Sequence, residues 1–165
     1  MSVLLAVPSL IVLLMLQMVV VSRLPLVHGT ADLVLLALIS WALQERARSA
    51  WAWAILAGVF VSFISALPFY MPVVIYVLVT AMARLLQRRV WQTPILALLV
   101  AVFVGTLIEH GLSLVTLNVL GAGIPWQEGF GLVTVPSLLL NLAMALPIYT
   151  VIVDLSRSVY PEAEE

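Results

Sequence analysis

The chain is a succession of long apolar runs separated by short clusters of polar residues, glycine and proline. Unbroken runs, as opposed to alternating polarity, are the pattern of helices that satisfy their own backbone hydrogen bonds. The pattern predicts an all-α integral membrane protein, a bundle of six transmembrane helices at about residues 3–22, 28–43, 51–67, 73–87, 95–119 and 133–155. The separators are residues 23–27, the charged stretch 44–48, a tight turn between Pro68 and Pro72, residues 88–94, and a glycine-rich loop from Gly121 to Gly131. Trp126 and Phe130 in that loop suit the headgroup layer, where aromatic rings favour the interface. The first run has no Lys or Arg before it and exceeds the core of a secretion signal, so it is expected to be a retained span. No linker divides the chain, which reads as a single transmembrane domain, 1–165, ending in a frayed polar tail from Pro161.

Composition sharpens this reading. Apolar residues make up 64% of the chain and charged residues 9%, far below the roughly one quarter of a water-facing domain. There is no cysteine, which removes disulfides, thiolate chemistry and cysteine metal sites. His28 and His110 lie too far apart to form a local metal-ligand motif, and no metal or other cofactor is expected. All seven basic residues are arginines, and none forms the basic run that nucleic acid binding requires. With six spans, Arg46, Arg48, Arg84, Arg88, Arg89 and Arg157 fall on one side and only Arg23 on the other. The excess marks the cytoplasmic side, which predicts both termini inside a bacterial cytoplasmic membrane. Trp41, Trp51, Trp53 and Trp91 then fall near that interface as expected anchors.

Polar residues within the spans are the candidates for function, because ionisable groups at membrane depth need a partner or a purpose. Thr106, Glu109, Ser113 and Thr116 recur at helical spacing and form one stripe. Counting ~1.5 Å per residue, Asp32 and the Glu109–His110 pair come out at similar depth, with Arg23 above them. Asp32, Glu109, His110 and Asn141 are therefore the expected intramembrane polar network. It admits a functional reading, a proton or substrate site, and a structural one, hydrogen bonding that fixes helix register; the structural reading is preferred. Gly58, Ser62 and Ala66 recur every fourth residue and form a small-residue face for close helix packing or a partner helix. Templates for catalysis are absent: no HExxH, no GxSxG, no phosphate-binding glycine loop. The chain is not expected to be an enzyme.

Several stretches resemble the MreD family of bacterial rod-shape proteins. They are Leu24-Pro25 ahead of Asp32 to Leu36, Gly58-Val59-Phe60, and the proline turn leading to Tyr76 and the Arg84–Arg89 end. The strongest is the run Pro136-Ser137-Leu138-Leu139-Leu140-Asn141, followed by Ala145 to Tyr149 and Arg157. Family members often carry Gly and Asp near the end of the third span, where this chain has Ser62 and Ser65. The resemblance implies a non-enzymatic scaffold of the elongation machinery. It would bind an MreC-like single-span protein and link cytoplasmic MreB filaments to a RodA-like glycosyltransferase and a penicillin-binding transpeptidase. The family fold is thought to be similar to the substrate-binding subunits of energy-coupling-factor vitamin transporters. That supplies an alternative, a transporter subunit in which Asp32, Glu109, Trp126 and Asn141 line a pocket.

Overall fold

The computed structural model describes residues 2–19, 29–45, 47, 49–89 and 93–159. Arg23, His28, Arg46, Arg48, Trp91 and the tail from Pro161 lie outside the described residues. Within them the fold is all-helical: α1 (Ser2–Val19), α2 (Leu33–Ala42), α3 (Ala50–Ser62), α4 (Tyr70–Arg89), α5 (Pro94–Val119), the short α6 (Trp126–Glu128), a π-helical turn (Gly129–Thr134) and α7 (Val135–Val159). Three helical stretches are long and apolar enough to cross a bilayer: Tyr70–Arg88, Pro94–Val119 and Trp126–Ser158. The other apolar helices are shorter.

The centre of the bundle is α2, all ten of whose residues are buried. It touches α1, α3, α4, α5 and α7. At ~1.5 Å per residue it is about 15 Å long, half the ~30 Å of a hydrocarbon core. Its sequence explains the position: Leu33 to Ala42 contains one polar side chain, Ser40, and a helix apolar on every side belongs where protein surrounds it. The segment expected to start this helix at residue 28 is instead non-helical from Gly29 to Asp32. It lies directly on α7, so closely that a Cβ on Gly29 would come within 2.6 Å of the Ser137 backbone nitrogen.

Around this axis, α3 and α4 form an antiparallel hairpin. A Cβ on Gly58 would sit 2.4 Å from Val73 Cα, so the two backbones are in direct contact, as small residues permit. The expected third span to residue 67 ends five residues early, at Ser62. The Ser62 hydroxyl lies 2.6 Å from both the Gly58 and Phe69 carbonyl oxygens, which ties the helix end to the start of α4. Ala66 is consequently in the turn and exposed, so the small-residue face consists of Gly58 and Ser62 without it. Trp41 and Trp53 do not lie on the surface, as anchors would. Both are fully buried and stack at 4.4 Å between ring centroids, joining α2 to α3; Trp51 alone of the described expected anchors is exposed.

The glycine-rich loop is shorter than its composition suggests. Helix resumes at Trp126, directly after Pro125, and continues through Gly129 and Gly131 as the π-helical turn. Thr134 stabilises that wider turn by donating its hydroxyl to the Gly129 carbonyl at 3.2 Å. Outside the bundle the surface is apolar, with Val12, Met15, Phe63, Leu85, Val119, Leu139 and Val151 all more than half exposed. A surface of this kind suits hydrocarbon rather than water.

Replacing Gly58 by Val is expected to force α3 from α4 and cost about 1–3 kcal/mol. Gly111→Ala, where nothing lies within 4 Å, should be neutral or stabilising. Reversible unfolding of the two variants in mixed micelles measures the contrast.

Candidate functional site

The start of α2 lies inside the bundle, where its N–H groups cannot reach water. A helix leaves its first N–H groups without partners of its own, and each one buried unmatched costs about 1–3 kcal/mol. Here every one is matched by a side chain. Asn141 on α7 accepts from the Asp32 N–H at 2.8 Å. Gln17 on α1 accepts from Leu33 at 3.1 Å and from Val34 at 3.4 Å. Asp32 caps its own helix, its Oδ1 accepting from the Leu35 N–H at 2.9 Å, as N-cap aspartates do. One residue earlier in the non-helical segment, Ser137 accepts from the Thr30 N–H at 3.1 Å.

From this cap a polar layer spreads across four helices. Tyr76 on α4 donates its hydroxyl to Asp32 Oδ2 at 2.9 Å. Asn141 donates its amide to Thr106 Oγ1 on α5 at 3.0 Å. One turn further along α5 stands Glu109, whose carboxyl borders this layer and lines the adjoining cavity. Its Oε2 is buried and has no partner. The next residue, His110, places Nδ1 3.5 Å from Thr134 Oγ1. Of the four residues expected to share a network, Asp32 and Asn141 are joined directly, while His110 meets Thr134 and Glu109 lines the adjoining cavity. Arg23, expected above it, is outside the described residues.

Sequence reasoning missed three members. Gln17 reads only as a polar interruption of the first apolar run, and Tyr76 as a residue after the proline turn. Thr134 reads as an ordinary residue at the start of the sixth span. For Gln17 and Tyr76 the available signal was a polar group standing within an otherwise apolar run. The stripe on α5 divides as well. Thr106 joins the layer, Glu109 and Ser113 line a cavity, and Thr116 returns its hydroxyl to the Leu112 carbonyl at 2.7 Å.

That cavity, about 260 Å³, lies between α5 and the α6–α7 column and is lined by Glu109, His110, Ser113 and Thr134 among apolar residues. Asp32, Asn141 and Trp126 are not among its lining. At the opposite end of the bundle Arg84 donates to the Gln44 carbonyl at 3.1 Å and to the Ala47 carbonyl. This cation sits at the C-terminus of α2, where the helix dipole favours positive charge. Among the described residues no group of three or more His, Asp or Glu is arranged to hold a metal ion.

Comparison with models of known families, with curated proteins and with solved structures found no match.

Asn141→Leu should leave the Asp32 N–H and the Thr106 hydroxyl unmatched and destabilise by about 2–6 kcal/mol, counting two buried groups. Gln17→Leu should cost about as much through Leu33 and Val34. A double-mutant cycle between Asn141→Leu and Thr106→Val isolates the direct bond, with an expected coupling of about 0.5–1.5 kcal/mol.

Proposed function

We propose that the chain is a non-enzymatic membrane scaffold of the MreD kind, crossing a bacterial cytoplasmic membrane six times with both termini inside. In this reading it binds an MreC-like single-span protein and connects MreB filaments to a RodA-like glycosyltransferase and a penicillin-binding transpeptidase. The observation that carries the reading is the engagement of Ser137 and Asn141. These two polar residues of the MreD-like stretch bind backbone groups at the start of α2 and do not line the cavity. An interior whose polar atoms hold the helices together leaves the outward helix faces for partners, as a scaffold requires.

The transporter-subunit alternative draws on the cavity beside Glu109. It is weakened by Asn141, whose amide oxygen and nitrogen are both already bonded. The volume also falls below the roughly 300–1,000 Å³ usual for drug-sized ligands, which is small for a vitamin.

Gentle detergent purification of the tagged chain from its own cells, followed by mass spectrometry, tests the choice. MreC-like and RodA-like partners are the expected outcome. Paired cytoplasmic ATPases with a second membrane subunit would overturn the scaffold in favour of the transporter. Topology is accessible separately, since the chain has no cysteine and single-cysteine variants carry no background. Glu45→Cys should react with a membrane-impermeant maleimide only after the cytoplasmic side is opened, and Ala122→Cys in intact spheroplasts. The reverse pattern would invert the orientation.

A further inference from the structure

The end of the bundle remote from Asp32 carries a second kind of opening. Arg84, Gln87 and Arg88 on the last turns of α4, with Trp51 of α3 and Glu45 after α2, line a recess of about 380 Å³. Guanidinium groups stay charged in proteins, so two cations share this recess with one carboxylate and outnumber it by one charge. Arg84 is held in place by donating to the Gln44 and Ala47 carbonyls, which makes one cationic wall rigid. Arg88 is exposed, and its planar fork of donors matches the oxygens of a phosphate. Gln87 adds a side-chain amide to the same wall.

The surface that adjoins the recess indicates what carries the phosphate. Along α4 the exposed residues Val74, Leu78 and Leu85 follow one another at helical spacing, and the ridge they form ends in Arg88. On α3, Ile55 stands one turn from Trp51, and both are exposed. An apolar ridge that ends in cations, with an indole ring beside them, repeats the order of acyl chain, interface and headgroup in a phospholipid. A soluble phosphate would use the recess and leave the ridge bare. Net charge narrows the headgroup further. A phosphodiester with one negative charge balances the excess cation, whereas a zwitterionic headgroup leaves it uncompensated and a doubly charged monoester sets surplus negative charge against Glu45.

We propose that this recess binds the phosphodiester of a singly anionic phospholipid, such as phosphatidylglycerol. Arg84 and Arg88 are its counter-ions, Glu45 accepts from the headgroup hydroxyls, and the acyl chains lie along the exposed ridge of α4. The inference goes beyond the scaffold reading and does not rest on it, because the occupant is a lipid and not a protein partner.

Native mass spectrometry of the full chain tests it, with mixed micelles of phosphatidylglycerol and phosphatidylcholine as the probe. The wild type is expected to retain phosphatidylglycerol in preference to phosphatidylcholine. Arg88→Gln is expected to reduce that preference about tenfold, the effect of one lost charge-assisted hydrogen bond. Arg88→Lys, which keeps the charge and loses the fork, should fall between the two. Leu85→Glu sets a carboxylate on the ridge one turn from Arg88 and should abolish the preference by repulsion, even if Arg88→Gln unfolds. Arg157→Gln removes an exposed cation of α7 and should leave the preference unchanged. Glycerophosphoglycerol, the same phosphodiester without acyl chains, should fail to displace the lipid at equal concentration. Displacement would overturn the lipid as occupant in favour of a soluble phosphodiester. Equal retention of both lipids by the wild type, or a preference that survives both Arg88→Gln and Leu85→Glu, overturns the proposal. So does an equal loss in Arg157→Gln, since the attraction is then to overall charge and not to this recess.

Discussion

The rest of the structure depends on satisfying the backbone at the start of α2. This helix begins inside the bundle, and the groups exposed by beginning there need acceptors that neither water nor lipid provides. Four side chains meet the need: Asn141 and Ser137 from α7, Gln17 from α1, and Asp32 itself. Each bond fixes a height as well as a contact. Gln17 sets how far α1 stands against α2, Asn141 sets α7 against both α2 and Thr106 on α5, and Tyr76 sets α4 through Asp32. Apolar packing alone would tolerate sliding, because one leucine resembles another along a helix. The polar layer removes that freedom.

The two halves of the bundle differ accordingly. Toward Arg84, α2 is surrounded and capped at its C-terminus by that guanidinium, with the Trp41–Trp53 stack beside it. Beyond Asp32 the central helix is gone, and α5 and the α6–α7 column continue on either side of a cavity. Glu109 stands at the boundary, bordering the hydrogen-bonded layer on one side and lining unfilled space on the other.

Much of the architecture was legible because hydrophobic runs report helices directly, and α4, α5 and the body of α7 lie close to their expected positions. The bond between Asp32 and Asn141 was also legible, since polar residues in apolar runs seek one another. Other features were not. Ala66 continues the spacing of Gly58 and Ser62, but spacing has no meaning once the helix stops, and it stops because Ser62 binds a carbonyl from the next turn. Trp41 and Trp53 look like interfacial anchors by position, yet their stacking on each other is a tertiary fact. The stretch from Trp126 to Gly131 reads as loop on composition because glycine is a poor helix former in water. Here the turn is held by Thr134 instead of by propensity. Nor does periodicity reveal that a buried helix begins halfway through the bundle.

The cap on α2 has a consequence for the order in which the protein is made. Its acceptors come from opposite ends of the chain. Gln17 precedes Leu33 by 16 residues and is already synthesised when α2 emerges. Ser137 and Asn141 follow their partners by 107 and 109 residues, after every other helix. Until α7 is released, the Thr30 and Asp32 N–H groups lack the acceptors they have in the complete bundle, and a helix about half the thickness of the hydrocarbon core cannot carry them into lipid alone. The interior of this bundle is therefore completed from its C-terminal helix backward, and a chain truncated before α7 is an unsealed intermediate and not a smaller version of the same fold.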